Sequence, residues 1–487
     1  MAHESEKYSK HACDTTCTRT NNLVHILPVE TVGVVTMEES SMSGSTKARV
    51  PVPKADTSWA AYGILLATIS SEGLLFGISL SFGVFQDYYS NTLKFNDQSS
   101  WIGVLSAGAP FLGAPLITYS TQALAIPLQY YIFLGWVLCF GGLLSSAFCH
   151  SLSAIIATQG LMYGLGMLML EMPVLIIFNT WFVRKRGLAF GILCGLTDLS
   201  GVGWTFLASN LLHHHGMRTT FLVLAAISFF IPGTALCFIR RRPSAKESLS
   251  ITPPNEDVPS HTNVPEEDSP TCLPPYYRRM SFYTLMATNL LQSLAFYLPF
   301  IYLPSYTTML GYTASRGTIV LAVANLAQVI GEIGFGSLSD KVNVHCLVVT
   351  SALMACLSTF FLWGFANSLA FLVVFALLFG CFGSGFIALW PRMGTMFAEK
   401  DASMIYSLMC LGRGIGSIAS GPISAAVLPG LQTTSKPLSA HEHFRPVILF
   451  VGACMAASAA LGSGGWMAYL FKKRRSMSKG HDEELIP

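Results

Sequence analysis

Long apolar stretches alternate with short polar breaks along this chain. A helix climbs ~1.5 Å per residue, so about twenty apolar residues cross the ~30 Å hydrocarbon core of a bilayer. Windows of that length predict twelve spanning helices. Six lie at 59–84, 100–119, 127–148, 153–178, 188–211 and 219–239, and six at 281–304, 315–338, 345–366, 368–391, 403–428 and 446–470. Helix is the expected form, because lipid offers no hydrogen-bond partner to an exposed backbone group.

The polar breaks orient these spans. With an even number of spans, both chain ends share a side with every second loop. That side carries twenty-three of the Lys and Arg residues and the other side five, with Arg413 inside a span. Basic loops stay cytoplasmic, so both ends are expected there. Residues 240–280 form the one long internal break. They open on Arg240-Arg241-Arg242 and continue through PPNEDVPSHTNVPEEDSP, which has too little apolar surface to order itself. The expected organisation is a disordered cytoplasmic tail at 1–57, a six-helix bundle at 58–240, a flexible cytoplasmic loop at 241–279, a second six-helix bundle at 280–471 and a cytoplasmic tail at 472–487. The loop reads as a tether, with a phosphorylation-regulated segment as the alternative. The first fifty-odd residues have no apolar core, so no signal peptide is expected.

Composition sharpens the class. Apolar residues make up 52% of the chain and charged residues 11%. A soluble domain carries roughly 25% charged residues, so the apolar surplus must face lipid. The net charge of +3 gives no reason to expect a nucleic-acid partner. Most of the twelve cysteines lie inside apolar runs, where they read as small packing residues rather than a disulfide framework. His213, His214 and His215, and His441 and His443, fall in outer loops as solvated histidines, so no metal or other cofactor is expected. No nucleophile paired with a base and no phosphate-cradling loop is visible, so an enzyme is not expected.

Ionisable groups inside hydrocarbon cost at least ~2.5–3.5 kcal/mol and therefore turn toward protein or a water-filled cavity. Glu72, Glu171, Asp198, Glu332 and Arg413 are the candidates, in spans one, four, five, eight and eleven. Arg392 lies at a membrane edge and can snorkel. Span seven adds Asn289, Gln292 and Tyr297 around Pro299 and Pro304, and span eight adds Asn325 and Gln328. Each uncharged group is either a substrate contact or interhelical glue. Gly187, Gly191 and Gly195 recur every four residues in span five, as do Gly412 and Gly416 in span eleven. Small residues one turn apart let helix backbones approach.

Several segments carry a resemblance. Span one ends in SFGVFQDYYSN, and span two opens with SSWIGVL at 99–105. WFVRKRGLAFGI occupies 181–192, GFGSLSDKV follows span eight at 334–342, and GIGSIASGP occupies 414–422. In order and spacing they resemble the monocarboxylate-porter family of the major facilitator superfamily, in its fungal form, over about 59–470. The resemblance implies an all-α membrane protein of two six-helix bundles, giving alternating access to a site near the bilayer midplane. It implies that helices one, four, seven and ten line the cavity, and that three, six, nine and twelve are peripheral. Those four peripheral spans have no charged residue in their interiors. The chain also departs from the family. It has ITYSTQALAIP at 117–127 in place of the usual Asp and Arg, no Lys near Leu80, and Gln328 and Glu332 where animal lactate porters carry Asp and Arg. The likeness therefore carries the fold further than it carries the substrate.

These readings lead to a secondary active transporter of a small organic compound, coupled to protons. Asp198, Glu332 or both would take and release the proton. Arg413 would serve as an anion ligand or counter-ion, or else form a permanent salt bridge with one of the acids. Glu72 and Glu171 would take part or be structural. Efflux of a fungal secondary metabolite is placed ahead of uptake of a monocarboxylate or related nutrient, and a transporter-like sensor is the alternative of another class. The partners expected are the substrate, protons and the lipid bilayer, with a monomer in the plasma membrane.

Overall fold

A computed structural model describes residues 55–93, 100–124, 126–242, 276–397, 401–427 and 439–483. The expected disorder of the N-terminal tail and of the central loop falls almost wholly outside these residues, as does the last part of the C-terminal tail. The described residues are helical, with no strand among them.

The first helix, α1, runs Trp59–Leu80 and resumes at Phe82–Asn91 after a break at Ser81. Next come α2 (Ser100–Ala123), α3 (Leu128–Ser146) and α4 (Leu152–Trp181). A 51-residue helical run, Arg186–Leu236, then covers two spans. Its break is Gly216, whose φ of 74° and ψ of 176° lie outside helix and suit a residue without Cβ. The run therefore divides into α5 (186–215) and α6 (217–236). The second set comprises α7 (Met280–Met309), α8 (Ala314–Ser339), α9 (Val344–Trp363), α10 (Leu369–Thr395), α11 (Ala402–Val427) and α12 (Ala440–Glu483). Twelve spans result, each within a few residues of its expected place except α12. That helix begins at Ala440 and continues well past the apolar stretch, through 472–483.

Local chemistry sets the helix ends and bends. The Ser58 hydroxyl accepts the Ala61 N–H at 3.1 Å to cap α1, and the Asn343 side chain accepts the His345 N–H at 2.9 Å to cap α9. Proline removes a helix hydrogen bond, and Pro299 and Pro304 both lie inside α7. Wider π-type turns occupy Ile156–Met162 in α4 and Ser358–Trp363 in α9. Large apolar side chains such as Leu116, Phe206, Phe230 and Phe361 are exposed and would meet lipid.

Within the first bundle, α1 packs on α5, where Gly73 lies against Ser200. The helices α3 and α4 meet where Gly135 approaches the backbone of Gly166 and Leu170. Within the second, α8 meets α10 at Gly331 and Cys381, and α7 meets α11 at Ser293 and Gly416. Two helix pairs carry most of the contact between the bundles. Gly187, Gly191 and Gly195 of α5 lie on α8, and Gly414 of α11 lies on Phe111 and Leu112 of α2.

The apolar core is divided unequally. One buried cluster runs through the first bundle and into Phe282, Phe335, Val344, Trp390 and Tyr406 of the second. These residues lie toward the face where α1 begins and α10 ends, the terminal face. A separate cluster, including Phe296, Tyr306, Trp363, Phe375 and Phe444, fills the opposite half of the second bundle. The two bundles thus share a core toward the terminal face, which is closed in this conformation.

Candidate functional site at the bundle interface

Arg413 of α11 is 1% exposed in the middle of the molecule. Its Nη1 donates to Oε1 of Gln292 on α7 at 3.1 Å, and Gln292 Nε2 in turn donates to the Gly383 carbonyl at 2.9 Å. The guanidinium carbon lies 4.1 Å from the Phe296 ring centre and 4.5 Å from that of Tyr297. Both distances are within the range for a cation over an aromatic face. Among the described residues no carboxylate approaches Arg413 to ion-pair distance, the one described ion pair being Arg392 with Asp340. The permanent salt bridge considered from the sequence is therefore absent among them. Gln292 and two aromatic rings hold the cation instead.

Two acids lie within reach of that charge. Asp198 of α5 accepts a short hydrogen bond from Nε2 of Gln328 on α8, so the contact crosses between the bundles. Glu332, one turn along α8 from Gln328, is 1% exposed, and its Oε2 has no hydrogen-bond partner among the described residues. The charge of Arg413 acts on both acids. Ser384 of α10 holds α8 here through its hydroxyl, 3.1 Å from the Gln328 carbonyl.

The other candidates are placed differently. Asn289 is fully buried and donates to the Met409 carbonyl at 2.8 Å, which joins α7 to α11. Asn325 is half-buried on α8 and forms no hydrogen bond among the described residues. Glu72 of α1 and Glu171 of α4 are both buried inside the first bundle.

Several contributors did not stand out in the sequence. Phe296 looked like one more apolar residue of span seven, yet it carries one face of Arg413. Trp390 and Phe190 hold the Tyr406 ring, with centres 5.9 and 5.7 Å away, as an aromatic layer between the acids and the terminal face. Asp340 belongs to GFGSLSDKV, and its carboxylate accepts the N–H groups of Gly187 and Leu188, both at 2.9 Å. Arg392 lies 3.9 Å from the same carboxylate, so it serves an ion pair as well as snorkelling. Asp56, read as tail, accepts the N–H groups of Val183, Arg184 and Lys185 at 3.0–3.1 Å. The only signal for Asp56 was an acid two residues before the helix-capping Ser58.

Comparison with known proteins places this architecture. The family model described as Major Facilitator Superfamily matches residues 73–421. The chain is 26% identical over 393 residues to the MFS-type transporter pynF of Aspergillus niger, covering 78% of this chain and 84% of that protein. It is 27% identical over 381 residues to the agnestins efflux protein AgnL12 of Paecilomyces divaricatus, covering 75% and 79%. It is 26% identical over 395 residues to human monocarboxylate transporter 12, covering 75% and 74%. Among solved structures, the transporter FucP matches with a TM-score of 0.59 over 83% of this chain and 99% of that one, at 13% identity. With twelve apolar helices in two bundles and a polar cluster between them, the chain belongs to the Major Facilitator Superfamily and is a multi-pass membrane transporter.

Proposed function

We propose that this protein is a proton-coupled secondary transporter that moves a small organic compound across the plasma membrane and works as an exporter of a fungal metabolite. The observation that carries the proposal is the bridge from Asp198 on α5 to Gln328 on α8, one turn before the buried Glu332. A carboxyl pair spanning two bundles is remade each time the bundles rock, so gain or loss of its proton is tied to which side is open. Asp198 and Glu332 carry the proton, and Arg413 is the counter-charge that sets how many protons the pair holds. Gln292, Tyr297, Asn289, Asn325 and Gln328 supply hydrogen-bonding groups around the substrate path.

The export direction draws support from the efflux protein among the relatives. Proton-coupled uptake of a monocarboxylate is the second reading, favoured by the likeness to monocarboxylate transporter 12 and by Arg413 as an anion ligand. The strong bias of basic residues toward one face supports cytoplasmic chain ends. The protein acts as a monomer, since each chain already supplies both bundles.

The test is a pH-gradient assay in proteoliposomes, screened with small acids and candidate metabolites. Substrate-dependent proton movement in the native protein, lost in Asp198→Asn and in Glu332→Gln, is the expected result. Flux with no proton movement would remove both acids from the mechanism.

A further inference from the structure

Two short basic segments, far apart in the chain, meet at the terminal face. Arg184 and Lys185 lie in the loop between α4 and α5, and Arg240 and Arg241 follow α6. All four residues are exposed. The Trp181 indole N–H, at the end of α4, donates to the Arg240 carbonyl at 2.8 Å. The Arg242 backbone N–H donates to the Thr180 hydroxyl at 3.5 Å. The exit from α6 is thus held against the exit from α4, and the two basic doublets flank one junction.

The acids beside this junction are already engaged. Asp56 accepts the backbone N–H groups of Val183, Arg184 and Lys185, and Asp340 accepts those of Gly187 and Leu188. Among the described residues neither acid forms an ion pair with the four cations, the ion pair of Asp340 being with Arg392. Arg186 is buried, with its Nε donating to the Phe182 carbonyl at 3.1 Å, and stands apart from them. The lipid boundary is marked independently. Phe230, Ile231 and Phe238 are exposed along α6 and just beyond it, and would meet lipid. Trp59, three residues after Asp56, is 91% exposed and supplies the amphipathic ring that favours the headgroup level. Apolar surface gives way to exposed cations within two residues, between Phe238 and Arg240.

We infer that Arg184, Lys185, Arg240 and Arg241 form one site for the phosphate headgroup of an anionic membrane lipid, whose acyl chains lie on Phe238 and Phe230. A guanidinium presents paired N–H groups to a phosphate, and three of the four residues are arginines. Anionic lipid at a membrane surface draws such cations to it. A basic loop by itself requires no particular partner, since charge bias alone orients a membrane protein. The tie through Trp181 is what turns two loops into one site. It fixes the backbone of one doublet against the other, so a single headgroup can touch both. The inference rests on the chain lying in a membrane. It is independent of the transported compound and of proton coupling.

The test uses the purified full-length protein in nonionic detergent, titrated with dioctanoyl phosphatidic acid. Dioctanoyl phosphatidylcholine and inorganic phosphate are titrated in parallel. The expected result is saturable binding of phosphatidic acid, roughly tenfold or more tighter than either of the others. Arg184→Gln with Lys185→Gln, and Arg240→Gln with Arg241→Gln, should each weaken that binding by roughly tenfold. Lys341→Gln with Arg445→Gln removes the same charge at two other exposed positions and should leave it unchanged. Trp181→Phe keeps every charge, removes the tie to Arg240 and should weaken binding about threefold. Thermal melting of each variant confirms that it is folded. Five outcomes would overturn the inference. They are no binding of phosphatidic acid by the native protein, phosphate binding as tight as the lipid, equal loss in the Lys341–Arg445 variant, and unchanged binding in either folded basic variant or in Trp181→Phe. The fifth is binding that emerges only after Glu266→Gln, Glu267→Gln and Asp268→Asn, which would give the site to that acidic stretch of the chain. None of these bears on the proton carriers Asp198 and Glu332, which the proteoliposome assay reads by itself.

Discussion

The carboxylate of Asp340, at the end of α8, caps Gly187 in the first turn of α5, although the two helices belong to different bundles. Free N–H groups at a helix start carry partial positive charge, so an acid there is held by charge-assisted hydrogen bonds. Immediately beyond, Gly187, Gly191 and Gly195 bring α5 against α8. Opening the terminal face must break these contacts together.

Asp340→Ala removes the acceptor for two backbone N–H groups and one partner of Arg392. Each charged hydrogen bond is worth about 1.5–3 kcal/mol. The closed terminal face should lose most of its population to open states. Spin labels at Val183→Cys and Val342→Cys, both at exposed positions, would report a longer and broader distance distribution. An unchanged distribution would mean that the glycine seam alone holds the face shut.

Gly191→Ala tests that seam. A Cβ at residue 191 would collide with the Glu332 carbonyl and crowd Gly336. Backbone cannot yield as a flexible side chain can, and overpacking costs about 1–3 kcal/mol. Transport should fall sharply. Gly203→Ala, on the same helix with open space around it, should transport normally and melt no lower. Equal effects of the two substitutions would refute the close-approach argument.

Asp56 is buried at 8% exposure and adopts a φ of 64°, a region that Asp and Asn enter more readily than most residues. Asp56→Ala strands three N–H groups of the loop between α4 and α5 and should lower the thermal midpoint. Asp56→Asn keeps one acceptor oxygen and should lose about half as much. Matching losses in both variants would show that the backbone conformation matters rather than the hydrogen bonds.

Arg413→Lys preserves the charge and removes the planar group stacked on Phe296 and Tyr297. The stacked contact is worth roughly 0.5–2 kcal/mol, so substrate affinity should fall about twofold to thirtyfold with proton coupling retained. Arg413→Gln removes the charge acting on Asp198 and Glu332, and should change the pH dependence of transport as well as affinity. Identical pH profiles for the native protein and Arg413→Gln would detach Arg413 from the acids.

The sequence by itself determined the spans, the division into two sets of six and the buried ionisable groups Glu72, Glu171, Glu332 and Arg413. Each follows from one local fact: a bilayer penalises polar groups over a fixed length of chain, and that length can be counted along any stretch. The end of α12 was missed for the same reason, since its polar last turns carry no apolar signal. Pairing was different. Asp198 and Gln328 are 130 positions apart, and Arg413 lies 121 from Gln292. Which acid faces which depends on helix rotation and on how closely glycines let α5 approach α8. Tertiary structure alone decided that Arg413 rests on Gln292 and two rings and that Asp198 joins Gln328 across the bundles. Those arrangements are set by the packing of whole helices, and a residue's own neighbours in sequence do not encode them.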